Sequence, residues 1–289
     1  MKKGTPLWKA LLFERRLPWR YKHFLDSTSK EAYNLLVRIN PCFHKRYVIN
    51  KRIIELNLTN YCNLSCINCE VSCRQAPGND YMTLGQIKKF VKESIALSRR
   101  WKKIKLFGGE PTLHPQFFKV IQILKKYKKS NPYCNFQLLT NGTGKKVKSR
   151  LLRVPKWISI INSTEKGMVH KLKPFESYNI APIDLKKYNN SNFSKGCWRI
   201  ETCGICLGPS GYYVCAPAYH TDRVLGLDVG IKKLNGLRSP TFKNQLNILC
   251  RYCGLYKEPR DYVSEEKMSP FWIKAYEKYK KSKPILSKY

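Results

Sequence analysis

The chain has 289 residues, of which 43% are hydrophobic and 12 are cysteines, and its formal net charge at pH 7 is +36. This length and apolar content suit one barrel-sized domain with a small appendage. No apolar run approaches the roughly 18 residues of a membrane-spanning helix, and the first 50 residues have no signal-peptide pattern. With so many cysteines, the chain is expected in the reducing cytoplasm.

The positive charge predicts attraction to polyanions, including nucleic acids, because basic surfaces release counterions from them. Lysines are spread along the whole chain, which favours lysine-rich solvated faces and compositional bias as the explanation of the charge. The basic N-terminal extension, residues 1–50, interleaves bases with aromatic residues between Phe13 and Phe24. That segment suits a nucleic acid, a phosphate-bearing substrate, a membrane surface or a helix packed on the barrel.

A buried strand is predicted from Arg52 to Tyr61, and three closely spaced cysteines follow it at Cys62, Cys66 and Cys69. A four-iron cluster usually takes four cysteine thiolates, so three leave one iron for another ligand. The alternative is a zinc site completed by Cys73, since structural zinc commonly takes four cysteines.

Strands and helices then alternate as far as residue 185, which predicts an α/β barrel. A helix is predicted from Thr83, a plausible N-cap, to about Arg100, and a second strand ends at Gly108-Gly109-Glu110-Pro111. Another helix follows from His114 to Lys129. Third and fourth strands end in polar residues, at Thr140 and Asn141 and at Asn162 and Ser163. Because barrel active sites lie at the carboxyl ends of strands, these segments are predicted to meet.

The Cys-x3-Cys-x2-Cys loop after one strand and Gly-Gly-Glu-Pro after the next resemble the radical SAM superfamily. The resemblance implies a partial (β/α)6 TIM-like barrel with a small C-terminal auxiliary-cluster domain. It also implies that Cys62, Cys66 and Cys69 bind a [4Fe-4S] cluster whose remaining iron binds S-adenosylmethionine (SAM). Asn68 departs from the family pattern, which more often has an aromatic residue there. By the same resemblance, the residues lining SAM are Gly108, Gly109, Glu110, Thr140, Asn141, Asn162 and Ser163, although the last four also suit ordinary turns and caps.

Six more cysteines follow residue 190, which is unusual in a reducing compartment unless metal is bound. Zinc and iron–sulfur are both compatible with them. Their layout resembles the SPASM and twitch auxiliary regions of radical SAM enzymes, with a hairpin over residues 208–215. The resemblance implies that one auxiliary [4Fe-4S] cluster is bound by Cys197, Cys215, Cys250 and Cys253. Cys203 and Cys206 remain as alternative ligands, a redox pair, a hydrogen-donating thiol or residues without a role.

These observations predict a radical SAM barrel over residues 51–190, a twitch-like region over 191–260 and a basic C-terminal tail over 261–289. The expected reaction is reductive cleavage of SAM to a 5′-deoxyadenosyl radical that abstracts a hydrogen atom from a small-molecule or peptide substrate. Sugar or aminocyclitol oxidation and peptide modification are the two expected classes, with flavodoxin or ferredoxin as reductant. The alternatives are an RNA-binding or RNA-modifying radical SAM protein and a noncatalytic zinc-binding module.

Overall fold

Alternating strands and helices build the first part of the computed structural model, which describes residues 45–162, 175–256, 262–263 and 267–289. The strands are β1 (Ile53–Thr59), β2 (Lys103–Gly108), β3 (Asn135–Thr140), β4 (Ile158–Asn162), β5 (Phe175–Glu176), β6 (Ile205–Gly208), β7 (Gly211–Tyr213) and β8 (Tyr262–Val263). The α-helices are α1 (Leu84–Ala96), α2 (Phe117–Ser130), α3 (Lys145–Leu151), α4 (Trp198–Thr202), α5 (Ala216–Leu225), α6 (Ser239–Leu249) and α7 (Pro270–Lys281).

The main sheet has the strand order β4-β3-β2-β1-β6-β7. In the part of this order that runs β4-β3-β2-β1-β6, each strand is parallel to its neighbours, and β7 pairs antiparallel with β6. Strands β5 and β8 form a separate antiparallel pair. This parallel-dominated sheet with helices between its strands is a mixed α/β, partial TIM-like fold, as predicted.

The two faces of the sheet differ because side chains alternate along each strand. Leu56 of β1 and Leu106 of β2 belong to one hydrophobic core with Phe90 of α1 and Leu124 of α2. The side chains that alternate with these leucines face the other side of the sheet, and two of them are charged. Glu55 on β1 is in register with Lys105 on β2, and their side chains form a 2.9 Å ion pair. One face of the sheet therefore supports the helices, and the other presents polar groups.

The second neighbour of β1 comes from the C-terminal region. Ile54 and Leu56 pair with Ile205 and Leu207 of β6, and the β6–β7 hairpin turns at Pro209 and Ser210. The sequence predicted this hairpin as part of a separate small domain. In the structure it extends the barrel sheet, because β6 is itself an apolar, fully buried strand.

The segment after residue 260 was expected to be a basic tail, but its described part is folded. Helix α7 buries Trp272, Tyr276 and Tyr279, which recur on one helical face, and packs them into a second core. Three of its four lysines, Lys278, Lys280 and Lys281, lie in the last turn. The sequence analysis predicted a tail from the many basic residues of this segment, and the structure has an amphipathic helix there.

Most of the predicted N-terminal extension, residues 1–44, lies outside the described residues. The described part, from residue 45, is held to the segment before and within α4: Tyr47 N–H donates to the carbonyl of Lys195 at 2.9 Å, and Asn50 N–H donates to the carbonyl of Ile200 at 2.8 Å. None of the described helices is both long enough and apolar enough to cross a bilayer.

Candidate metal and cofactor site

The cysteine loop begins just past the carboxyl end of β1, as predicted. The thiols of Cys62, Cys69 and Cys73 are in hydrogen-bonding contact, with Cys73 touching the other two. Cys73 also donates to the carbonyl of Asn60, with Sγ and O 3.3 Å apart. The loop thus gathers at least three sulfur atoms at one point, where soft metal ions prefer to bind.

Two residues of this loop have a left-handed backbone without being glycine. Asn68 has φ 46° and Ser72 has φ 56°, and they directly precede Cys69 and Cys73. Asparagine tolerates this conformation better than bulky residues do. The backbone conformation therefore gives a physical reason for the asparagine at position 68.

The thiols of the loop have different proton affinities. Hydrogen bonding from Cys73 lowers the pKa of Cys62, and the same contact lowers the pKa of Cys69 to about 7. The pKa of Cys73 is well above its usual range, because its contacts with Cys62 and Cys69 and its burial all favour the thiol. Cys62 and Cys69 therefore reach the thiolate form, which binds metal, more easily than Cys73 does.

The glycines after β2 allow that strand to approach the cysteine loop. Gly108 has φ +143°, and a Cβ there would lie 2.4 Å from the carbonyl oxygen of Thr59. A Cβ on Gly109 would lie 2.3 Å from the carbonyl oxygen of Tyr61. Only glycine fits such close backbone approaches. The Gly-Gly-Glu segment is thereby held directly against Cys62, as the sequence predicted.

Glu110 is fully buried, and its carboxylate is occupied by donors of the protein itself. Oε1 accepts from the backbone N–H of Thr112 at 3.1 Å and from its hydroxyl at 2.6 Å. Oε2 accepts from the Asn141 N–H at 2.8 Å, and the Thr140 hydroxyl lies within 3.0 Å of both oxygens. The resemblance placed Glu110 among the residues that line SAM, and in the structure its carboxylate joins the end of β2 to the end of β3.

The polar end of β3 reaches the cysteine loop. The Asn141 amide donates to Asn63 Oδ1 at 2.9 Å and lies 3.6 Å from the sulfur of Cys62. Asn162 ends β4 in register with Thr140. Ser163 lies outside the described residues. Of the four polar residues predicted at these strand ends, the structure therefore brings Thr140 and Asn141 to the cysteine loop.

A second group of thiols consists of Cys197, Cys215, Cys250 and Cys253, and all four are buried. Cys197 and Cys215 immediately precede α4 and α5, and Cys250 immediately follows α6. Burial raises the pKa of Cys215, and the nearby Cys197, Cys250 and Cys253 raise it further. Their mutual influence requires proximity, so the structure brings together the four cysteines that the resemblance selected.

An ion pair that the sequence did not reveal connects the two thiol groups. Arg199 Nη2 lies 2.6 Å from Glu70 Oε2, and these residues are near Cys197 and Cys69 in the sequence. The charge of Glu70 acts on both Cys69 and Cys253. In the sequence, the only signal for Glu70 and Arg199 was that each lies close to a cysteine predicted to bind metal. Their pairing with each other depends on tertiary structure.

Cys203 lies beside the same ion pair, with its sulfur 3.8 Å from Arg199 Nη1. Cys206 is in register with Glu55. Burial raises the pKa of both thiols, and the charge of Glu55 raises it further. Both therefore retain their protons at neutral pH.

Within the described ranges, no group of three or more Cys, His, Asp or Glu side chains is already arranged to hold a metal ion. The ligand roles of the cysteines thus remain predictions, supported by thiol chemistry and proximity. The soft, clustered donor set fits an iron–sulfur group.

Comparisons with known proteins add independent information. The family model described as "Radical SAM superfamily" matches residues 56–160. A probable GTP 3′,8-cyclase of Pyrococcus horikoshii is 37% identical over 90 residues, which are 31% of this chain and 26% of that protein. One from Methanococcus maripaludis is 34% identical over 97 residues, 34% of this chain and 30% of that protein. The chain thus aligns with less than a third of the length of either relative.

Among solved structures, BtrN in complex with AdoMet and 2-DOIA is similar, with 14% identity and a TM-score of 0.42. The similarity covers 78% of this chain and 98% of BtrN. The residues that the family model matches include the cysteine loop, the Gly-Gly-Glu segment and the end of β3. Residues 56–160 of the chain therefore match the radical SAM superfamily, whose cofactors are a [4Fe-4S] cluster and SAM.

Proposed function

We propose that the chain is a radical SAM enzyme that abstracts a hydrogen atom from a polar substrate and carries one auxiliary iron–sulfur cluster. One observation carries the proposal: the cysteine loop, Gly108-Gly109-Glu110 and Asn141 meet at the carboxyl ends of three parallel strands. This is the position at which barrel enzymes assemble their active sites.

In this proposal, Cys62, Cys66 and Cys69 hold the cluster that binds SAM. When bound, the reduced cluster supplies the electron that cleaves SAM to methionine and a 5′-deoxyadenosyl radical, which takes a hydrogen atom from the substrate. The Asn141 amide orients Cys62 through its contact with the sulfur. Glu110 fixes the separation of the β2 and β3 ends, so the cofactor is positioned by a rigid frame.

Cys197, Cys215, Cys250 and Cys253 hold the auxiliary cluster in this proposal. Burial raises the pKa of Cys215, Cys250 and Cys253, so a bound cation would be needed to hold these adjacent thiols as thiolates. An auxiliary cluster next to the substrate can accept its electron, which makes the net reaction an oxidation, or can bind the substrate directly.

The substrate lies, in this proposal, between the two thiol groups. The ion pairs Glu70–Arg199 and Glu55–Lys105 supply both charges there; Glu70, Arg199 and Lys105 are partly accessible, and Glu55 is buried. Such groups suit a small polar molecule or a peptide, so sugar or aminocyclitol oxidation and peptide modification remain the proposed classes. Flavodoxin or ferredoxin is the proposed reductant, and the cytoplasm is the proposed location. A nucleic-acid partner rests on the net charge alone.

The test is anaerobic reconstitution of the wild-type chain and of a variant lacking Cys62, Cys66 and Cys69, with iron analysis, Mössbauer spectra and chromatography of SAM products. Wild type should contain about eight irons and cleave SAM under reducing conditions, and the variant should contain about four and cleave none. A Cys134→Ala variant is the control, because Cys134 lies in the apolar core. Zinc without iron in the wild type would support the noncatalytic zinc module instead.

A further inference from the structure

The acidic residues of the chain are distributed unevenly. Residues 111–162 contain eleven lysines and arginines and no aspartate or glutamate, and all 19 acidic residues of the chain lie elsewhere. This segment includes helices α2 and α3 and strands β3 and β4. Its positive charge is therefore not balanced by any carboxylate of the same segment.

Most of these basic side chains reach solvent. We call the exposed ones the basic face, which consists of Lys119, Lys125, Lys126, Lys129, Lys145, Lys146, Lys148, Arg153 and Lys156. Within the described part of the chain, carboxylates pair with Lys105, Arg199 and Lys232, and with none of the nine. The basic face is thus available to a partner of opposite charge.

Contacts between α2 and α3 make the basic face continuous. Just after α3, the guanidinium of Arg153 lies 4.3 Å from the centre of the Phe118 ring at the start of α2. Arg150, within α3, donates to the carbonyl of His114 at 3.0 Å. Helix α3 therefore lies beside the first turn of α2, and the bases of the two helices form one surface.

One end of the basic face adjoins the cysteine loop. The side-chain amide of Asn63, the residue after Cys62, donates to the carbonyl of Thr143 at 2.7 Å. Helix α3 begins two residues later, at Lys145. Asn63 and Ser65 are exposed, so the loop is open to solvent on the side next to α3. We call Lys145, Lys146 and Lys148 the near end of the basic face.

The other end of the basic face lies at the opposite edge of the sheet. Helix α2 starts after the carboxyl end of β2 and leads back to the amino end of β3. Its 14 residues span about 21 Å, at about 1.5 Å per residue. Lys125, Lys126 and Lys129 lie in its second half, away from the cysteine loop, and we call them the far end.

We propose that the near end of the basic face docks an acidic electron-carrier protein of the flavodoxin or ferredoxin class, which reduces the cluster in the cysteine loop. The transfer oxidises the carrier by one electron and reduces the cluster by one electron. Opposite charges on the two proteins speed their encounter and orient it. The proposal rests on the proposed function, because it requires a cluster in this loop.

Position favours an electron carrier over a nucleic acid as the partner. An electron has to reach the cluster, so the carrier must bind where the cysteine loop is open, which is at the near end. A nucleic acid gains affinity from each phosphate that is neutralised, so it would use the near and far ends alike.

The experiment compares SAM cleavage by the reconstituted full chain with three reductants: reduced flavodoxin, reduced ferredoxin and saturating dithionite. The near-end variant combines Lys145→Gln, Lys146→Gln and Lys148→Gln. The matched far-end variant combines Lys125→Gln, Lys126→Gln and Lys129→Gln and removes the same charge. Isothermal titration calorimetry of each protein with the oxidised carriers, at low and high salt, measures docking separately from activity.

The near-end variant should lose about tenfold in carrier affinity and in carrier-driven cleavage below saturation, because three exposed charge pairs are lost. The far-end variant should stay within about twofold of wild type, because its charges lie beyond the Debye length of about 10 Å. Dithionite-driven cleavage should be equal in all three proteins, which also shows that the variants are folded. High salt should weaken carrier binding to wild type.

Equal losses in the two variants, or no loss in the near-end variant, would overturn the proposal. Cleavage by wild type with dithionite but with neither carrier would also overturn it. So would a short single-stranded RNA that binds wild type where neither carrier binds, with affinity that falls equally in both variants, since the face would then be a nucleic-acid surface. Failure of the proposed function has a different sign, namely no SAM cleavage by wild type even with dithionite.

Discussion

The two thiol groups of the molecule have different surroundings. The cysteine loop after β1 is partly accessible, and contacts from Cys73 lower the pKa of two of its thiols. The group formed by Cys197, Cys215, Cys250 and Cys253 is buried, and burial raises the pKa of Cys215, Cys250 and Cys253. The first group is therefore more accessible to solvent than the second.

This difference explains how one chain could support two metal sites with separate tasks. An accessible site with fewer protein ligands leaves room for a cofactor, whereas a closed site of four thiolates is satisfied by the protein. The Glu70–Arg199 ion pair joins the segment that carries Cys69 to the segment that carries Cys197. Four experiments test how far their roles differ.

The largest effect is expected from Cys66→Ala, which removes a predicted ligand from the accessible site. Reductive SAM cleavage should fall to background, because two protein ligands do not retain the cluster in a position to bind SAM. The measurement is 5′-deoxyadenosine formed per enzyme with dithionite as reductant, and Cys134→Ala is the control. Full SAM cleavage by Cys66→Ala would contradict the ligand assignment.

Cys250→Ala should affect the buried site alone. Iron should fall from about eight to about four per chain, while part of the SAM cleavage survives without coupling to substrate. Iron analysis and 5′-deoxyadenosine assays on the same sample measure both quantities. Equal loss of iron and of SAM cleavage would mean that the two sites do not act separately.

Glu110→Gln tests the frame of the accessible site. The substitution keeps the shape but turns an acceptor into an amide that faces donors from Thr112, Thr140 and Asn141, so we expect a loss of about 2–3 kcal/mol in the free energy of unfolding. Urea denaturation of the apo protein measures it. The matched control is Glu277→Gln on the exposed face of α7, which should change stability little.

The smallest effect is expected from the ion pair between the sites. Glu70 and Arg199 are each about one-fifth exposed, so their coupling should be about 1 kcal/mol or less. A double-mutant cycle with Glu70→Gln and Arg199→Met measures it by urea denaturation. A coupling of several kcal/mol would show that the link is a major part of the fold.

Local sequence signals predicted the first half of the fold well. Thr83 caps α1 as expected, with its hydroxyl accepting from the Gln86 N–H and the Gln86 side chain accepting from the Thr83 N–H. The four strands from β1 to β4 and the helices α1 and α2 lie close to their predicted positions, since alternation and capping are local properties. Helix α3 between β3 and β4 was not predicted. The Cys-rich loop and Gly-Gly-Glu segment meet because consecutive parallel strands end at the same edge.

The features that the sequence did not reveal depend on contacts between distant segments. The placement of β6 beside β1 and the engagement of the Glu110 carboxylate by Asn141 follow from tertiary packing. The exposed lysines of the C-terminal helix made its amphipathic pattern difficult to recognise in the sequence. The sequence position of Cys73 did not identify it as a neighbour of Cys62 and Cys69, because a thiol four residues after Cys69 has many accessible orientations.

The pairing of β1 with β6 has a consequence for synthesis. Ile54 meets Ile205 across the sheet, so a central strand of the barrel waits for about 150 further residues to be translated before its second edge is covered. Until then, the nascent protein exposes an apolar strand edge that can associate with other chains. Slow, late closure of this edge makes expression of truncated forms prone to aggregation, and full-length chains should benefit from chaperones and low temperature during production.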